Sequence, residues 1–170
     1  MKVGKYFLFL WAKSLSMSTF IGDYNCKVDA KGRILFPASF KKQMPPASQE
    51  KFVVKKEIFE PCLILYPIAE WERQNELLRK RINPYNKEHN RFLREFFRGS
   101  AEVSLDSSNR VLIPKRLLDL AKIDKEAVLA GQDGKIEIWA KDLYENCEMN
   151  EGDFAQLAEK ILGNGLLENE

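Results

Sequence analysis

Val28-Asp29-Ala30-Lys31-Gly32-Arg33-Ile34-Leu35-Phe36-Pro37 decides how this chain folds, because it returns as Leu105-Asp106-Ser107-Ser108-Asn109-Arg110-Val111-Leu112-Ile113-Pro114. Both copies run apolar, Asp, three turn-prone residues, Arg, three apolar residues, Pro, and the match continues with Phe40 against Leu117. An Asp and an Arg at one spacing can recur by chance. An in-register apolar triplet and a proline rarely come with them.

Each copy reads as a strand, a tight turn and a return strand. Tyr24, Cys26 and Val28 alternate with Asn25, Lys27 and Asp29, as Ala101, Val103 and Leu105 do with Glu102, Ser104 and Asp106. A period of two marks a half-buried strand. Gly32 and Asn109 hold equivalent places, and both tolerate the left-handed backbone that such turns require. Asp29 and Asp106 at the turn entries can accept backbone N–H bonds across the loop, or hold the Arg in a bidentate pair. Ile34-Leu35-Phe36 and Val111-Leu112-Ile113 are apolar throughout, which predicts strands buried on both faces. Pro37 and Pro114 suit the first position of a short helix, where no N–H is needed. In isolation, such an Asp and Arg would merely close a hairpin. Duplicated, they put two Arg-tipped turns in pseudo-symmetric halves.

The repeat is longer than the motif. After the first copy the pattern predicts a helix over residues 39–43, strands over 52–54 and 62–66, and a helix from 69 to about 82. After the second it predicts a helix over 114–121, strands over 127–130 and 135–139, and a turn at Gln132-Asp133-Gly134. Leu63-Ile64-Leu65-Tyr66 lines up with Ile136-Glu137-Ile138-Trp139, and Trp71-Glu72 with Tyr144-Glu145. The unit is therefore β-β-α-β-β-α, used twice. Four short strands cannot bury a two-sided sheet alone, so the units are expected to share one core. Between them, Asn83-Pro84 divides an insertion into two helices. The second carries Phe92, Leu93, Phe96 and Phe97 on one stripe, which points to packing or a subunit contact. Phe154, Leu157, Ala158, Ile161 and Leu162 describe an amphipathic C-terminal helix that must dock on its own core or a neighbour. Residues 163–170 are expected to fray.

The chain has 170 residues, 45% hydrophobic and 31% charged, as in ordinary soluble globular proteins. Its charge is unevenly spread: residues 24–69 hold eight Lys/Arg against four Asp/Glu, whereas residues 119–170 hold five against thirteen. A basic front and an acidic tail suit one face to anions. The three cysteines, Cys26, Cys62 and Cys147, show no C-x-x-C spacing, and a reducing cytosol is the simplest setting. With His89 the single histidine, no metal site and no cofactor are expected. Tyr6 to Ala12 is apolar after two lysines, but far shorter than the roughly 20 residues a bilayer span needs. Met17-Ser18-Thr19-Phe20 looks like a more natural start, leaving residues 1–16 as an extension.

Two β-β-α-β-β units, each with D-x-x-x-R, an apolar triplet and Pro, resemble the MraZ family of AbrB/SpoVT-like swapped-hairpin barrels. Pro61-Cys62-Leu63, Glu70-Trp71 and Ile138-Trp139 also fall where that family would put them. The resemblance implies an α+β fold: a pseudo-two-fold swapped-hairpin β-barrel of two β-β-α-β-β-α units, with a helical insertion and a C-terminal helix. It divides the chain into an extension (1–16), a first AbrB/SpoVT-like repeat (17–69), a helical connector (70–99), a second repeat (100–146), and a C-terminal helix and tail (147–170). It further implies a cytoplasmic, nucleoid-associated transcriptional regulator of the division and cell-wall gene cluster. Its partners would be double-stranded DNA, at repeats upstream of its own gene, and copies of itself in a ring.

Carried onto this sequence, the family's DNA contact falls on Arg33 and Arg110, with Lys31 beside the first. Arg suits bidentate contact with guanine or phosphate. Asp29, Asp106, Gly32 and Asn109 would shape the turns, while Lys27, Lys31, Lys115 and Arg116 would attract phosphates regardless of sequence. Ser107-Ser108-Asn109 lacks a Lys, so the second turn's phosphate contact would be weaker. Two readings compete. In one, the barrel is a non-DNA-binding assembly module with its Arg turns buried between subunits. In the other, Asp29 and Asp106 form a proton-sharing protease-like dyad; Ala30-Lys31 and Ser107-Ser108, where that chemistry wants a small residue and Gly, argue against it. His89, in a charged stretch, is expected to face solvent, so no Ser–His or Cys–His site is supported.

Overall fold

The computed structural model describes residues 18–46 and 51–163. The expectations for residues 1–16 and 164–170 lie outside them. Two similar halves follow one another. The first contains β1 (Asp23–Lys27), β2 (Arg33–Leu35), α1 (Ala38–Lys42), β3 (Lys51–Lys56), β4 (Leu63–Pro67) and α2 (Ile68–Arg79). A further connector helix, α3 (Lys87–Phe97), leads to β5 (Ala101–Ser104), β6 (Arg110–Leu112), α4 (Lys115–Leu120), β7 (Glu126–Gln132), β8 (Lys135–Ala140) and α5 (Lys141–Asn146). Helix α6 (Glu151–Gly163) ends the described chain.

Neither half makes a sheet of its own. Strand β1 pairs with β7, β3 with β5, β4 with β8 and β2 with β6, each pair antiparallel and each joining one half to the other. The halves therefore share one core, in which Ile34, Phe36, Phe40 and Phe52 meet Val111, Ile113, Leu117 and Leu129. Period-two strands with one apolar face can leave water only against a second such face, and here the other half supplies it.

The fold is α+β, but the sheet does not close into the expected barrel. Six strands run β1-β7-β8-β4-β3-β5, and β2-β6 form a separate two-stranded ribbon. Single bridges, Val28 to Ile34 and Leu105 to Val111, tie each edge strand to the ribbon. Strands β2 and β6 pair with each other along one edge, and on the other edge each meets the strand before its own turn at a single bridge rather than a ladder.

The ribbon corrects a second expectation. Ile34 and Val111 are fully buried, yet Leu35 and Leu112 are 57% and 52% exposed. The triplets are buried on one face only. Pro37 and Pro114 stand one position earlier than expected, extended at ψ 130°, as the residues capping α1 and α4. His89, expected in solvent, is half-buried, and its Nδ1 accepts the Asn83 N–H at 2.9 Å.

Helix α2 is held by Glu70, whose buried carboxylate accepts Arg73 Nε (2.8 Å), an Arg73 terminal N–H (2.7 Å) and Gln74 Nε2 (2.7 Å). It lies over the β7–β8 turn, where a Cβ on Gly134 would come within 2.9 Å of the Glu70 carboxyl carbon. Burial works against this charge, but the Arg73 and Gln74 bonds outweigh it and hold the carboxyl below its ordinary value. In the connector, Phe96 stacks on Trp71, and the buried Lys55 ammonium lies 4.0 Å from the Phe96 ring centre. Helix α6 buries none of its residues against the described chain. No helix among the described residues is long and apolar enough to cross a membrane.

Candidate nucleic-acid interface

The two Asp-to-Arg turns are built alike. In the first, Asp29 Oδ1 accepts the N–H groups of Lys31 (2.9 Å) and Arg33 (3.0 Å), and the Gly32 N–H returns to the Asp29 carbonyl (2.9 Å). In the second, Asp106 Oδ1 accepts from Ser108 (2.8 Å) and Arg110 (2.9 Å), and Asn109 closes on the Asp106 carbonyl (3.0 Å). Gly32 has φ +82° and Asn109 φ +55°, the left-handed backbone that turns the chain around. Each turn also receives a strand end from the other half. The Ile113 N–H donates to the Gly32 carbonyl at 3.0 Å, and the Phe36 N–H to the Asn109 carbonyl at 2.8 Å.

These bonds hold the arginines together rather than apart. In the ribbon Arg33 faces Leu112 and Leu35 faces Arg110. Arg33 Nε donates to Asp29 Oδ2 at 2.7 Å, and an Arg110 terminal nitrogen lies 3.8 Å from the same oxygen. Asp106 makes no ion pair with Arg110 among the described residues. One carboxylate thus serves two guanidiniums, and the two turns present one patch. The backbone N–H of Arg33 leads in holding the Asp29 carboxyl below its ordinary value, with the Arg33 side chain adding to it. The Arg110 N–H leads at Asp106, which is likewise lowered. Two carboxyls both held charged are the reverse of a dyad sharing a proton.

The lysines fall around the turns by the same pairing between halves. Lys27, Lys31 and Lys115 line one open depression of about 790 Å³ beside the first turn, which Asp29, Asp119, Asp124 and Glu126 line as well. Lys115 comes from the second half. Arg116 is not among the residues lining it; its guanidinium donates to the Gly99 carbonyl at 2.6 Å and clasps the end of the connector.

Sequence reasoning missed Lys41. Its ammonium donates to Asn109 Oδ1, and with Lys51 it lines a smaller depression beside Asp106 and Ser107. The second turn, which has no lysine of its own, takes two from the first half. The equivalent place at the first turn holds Leu118, whose Cδ1 would lie 3.1 Å from a Cβ on Gly32. Gly stands under Leu118 and Asn under Lys41, so the difference between the turns follows from the helix above each. Nothing in the repeat signalled this, because position 41 aligns with a leucine.

The chain was compared with known proteins. The family model described as "MraZ protein, putative antitoxin-like" matches it twice, over residues 19–95 and 96–164. Proteins named "Transcriptional regulator MraZ" are similar along most of their length. That of Christiangramia forsetii is 46% identical over 87% of this chain and 96% of its own. That of Flavobacterium psychrophilum is 44% identical over 87% and 94%, and that of Bacteroides thetaiotaomicron 39% over 86% and 94%.

Proposed function

This chain belongs to the MraZ family, and on that premise we propose that it is a sequence-specific DNA-binding transcriptional regulator. The observation that carries the reading is the convergence of Arg33 and Arg110 on one rigid, outward-facing ribbon. The two guanidiniums meet at the Asp29 carboxylate, and Lys31 and Lys41 add positive charge beside the turns. Bidentate Arg contacts to guanine would supply specificity, and Lys27, Lys31, Lys41 and Lys115 attraction to phosphates. Its targets are repeats upstream of its own gene, within the division and cell-wall gene cluster, and it works in the cytoplasm on the nucleoid; the family resemblance supports these.

In this reading the interleaved halves are swapped hairpins, with 17–69 and 100–146 as the two repeats, 70–99 as connector and 147–170 as C-terminal helix and tail. The protein acts as a ring. One copy offers few base contacts, and many copies on spaced repeats gain by effective concentration, about 10²–10⁴-fold. The exposed stripe of α6 supports oligomers, since a 13-residue helix is marginal in water without packing.

The test is a titration against the DNA upstream of the protein's own gene at two salt concentrations, with an unrelated duplex of equal length as control. Tight, salt-sensitive binding that prefers the upstream DNA and disappears in Arg33→Ala is expected. Equal, weak binding to both duplexes would favour an assembly module whose Arg turns are subunit contacts.

A further inference from the structure

The outer face of the β2–β6 ribbon carries more than its arginines. Strand alternation puts Arg33 and Leu35 on that face, with Ile34 buried beneath them, and Arg110 and Leu112 likewise over Val111. Direct pairing sets Arg33 beside Leu112 and Leu35 beside Arg110. The face is a two-by-two chequerboard in which each guanidinium has an exposed leucine across the strand and another along it. Two large apolar side chains, both more than half exposed, thus stand interleaved with the two guanidiniums on one face. A purely apolar partner does not suit them, because covering the leucines would also bury two guanidiniums that have one ion-paired carboxylate among the described residues.

The geometry points to the major groove of duplex DNA as the occupant, with Leu35 and Leu112 packing on thymine methyl groups while Arg33 and Arg110 meet guanine. This rests on the DNA-binding reading above and adds what the face selects. A two-stranded ribbon fits a major groove about 12 Å wide. Thymine alone offers an apolar methyl there, beside guanine acceptors suited to Arg. Residues two apart on a strand are separated by about 6.7 Å, roughly two base-pair steps. Leu35 and Leu112 therefore require thymines within about two base pairs of the guanines contacted by their strand neighbours.

Replacing single thymines by uracil in the upstream duplex removes only the methyl. Wild-type affinity is expected to fall about fourfold at each contacted thymine, the worth of one buried methyl, and not elsewhere. The Leu35→Ala/Leu112→Ala variant is expected to keep its fold, since both side chains are exposed, and to bind thymine and uracil duplexes alike. Two results overturn the inference while leaving DNA binding intact: a wild type indifferent to uracil at every position, or a double variant as uracil-sensitive as the wild type. A wild type with no preference for the upstream duplex would overturn the DNA-binding reading itself, and this inference with it.

Discussion

Asp29→Asn separates the role of the shared carboxylate from that of the turn. An Asn side-chain oxygen can still accept the Lys31 and Arg33 N–H bonds that Asp29 Oδ1 accepts, so the loop keeps its shape. What disappears is the charge holding Arg33 at 2.7 Å and Arg110 at 3.8 Å. A well-oriented Arg–guanine contact discriminates by roughly tenfold to a hundredfold. Loosening both arginines should therefore cost at least about tenfold in the ratio of specific to non-specific affinity. Non-specific affinity should rise slightly, because a negative charge facing phosphates is gone. Asp106→Asn is the control. That carboxylate bonds two backbone N–H groups and pairs with no Arg side chain among the described residues, so its ratio should fall less than about threefold. The assay is fluorescence anisotropy on the upstream and an unrelated duplex at two salt concentrations. Equal effects of the two substitutions, or an unchanged ratio in Asp29→Asn, would refute the claim that one carboxylate serves both arginines.

Three further outcomes are expected. Gly32→Ala should lose about 2 kcal/mol in urea unfolding, because φ is +82° and the new Cβ would meet the Ile113 carbonyl at 3.0 Å. Glu70 has a folded pKa below its ordinary 4.5, so its contribution is complete above that value and disappears as pH falls through the folded pKa. Glu70→Gln should cost about 1 kcal/mol at neutral pH, discounted because Arg73 is partly exposed, and should flatten the loss of stability as pH falls below the ordinary carboxyl value. Ile161→Glu should lower the mass measured by light scattering without lowering the unfolding midpoint of the core, since α6 buries none of its residues; an unchanged mass would remove α6 from the oligomer contact.

Much of this was legible because it is local. The order of elements follows the repeat, and the helices and strands given bounds from the sequence fall within a few residues of where the apolar periods and prolines put them. The left-handed turn positions, Gly32 and Asn109, could be read because few residues tolerate that backbone. The apolar triplets misled for a stated reason: apolar residues in a row indicate that a strand can be buried on both faces, not that something covers both. Leu35 and Leu112 have cover on one side only.

What the sequence by itself determined is the repeated unit, its strand–turn–strand motif and the residue types at each turn, all set by backbone sterics and short-range hydrogen bonds. Which residues act together was decided by tertiary structure. Pairing of strands between halves brings Arg110 to Asp29, Lys115 to Lys31, Lys41 to Asn109 and Leu118 over Gly32. Such meetings depend on the pairing of β2 with β6, which joins residues far apart in the sequence. No local pattern encodes them.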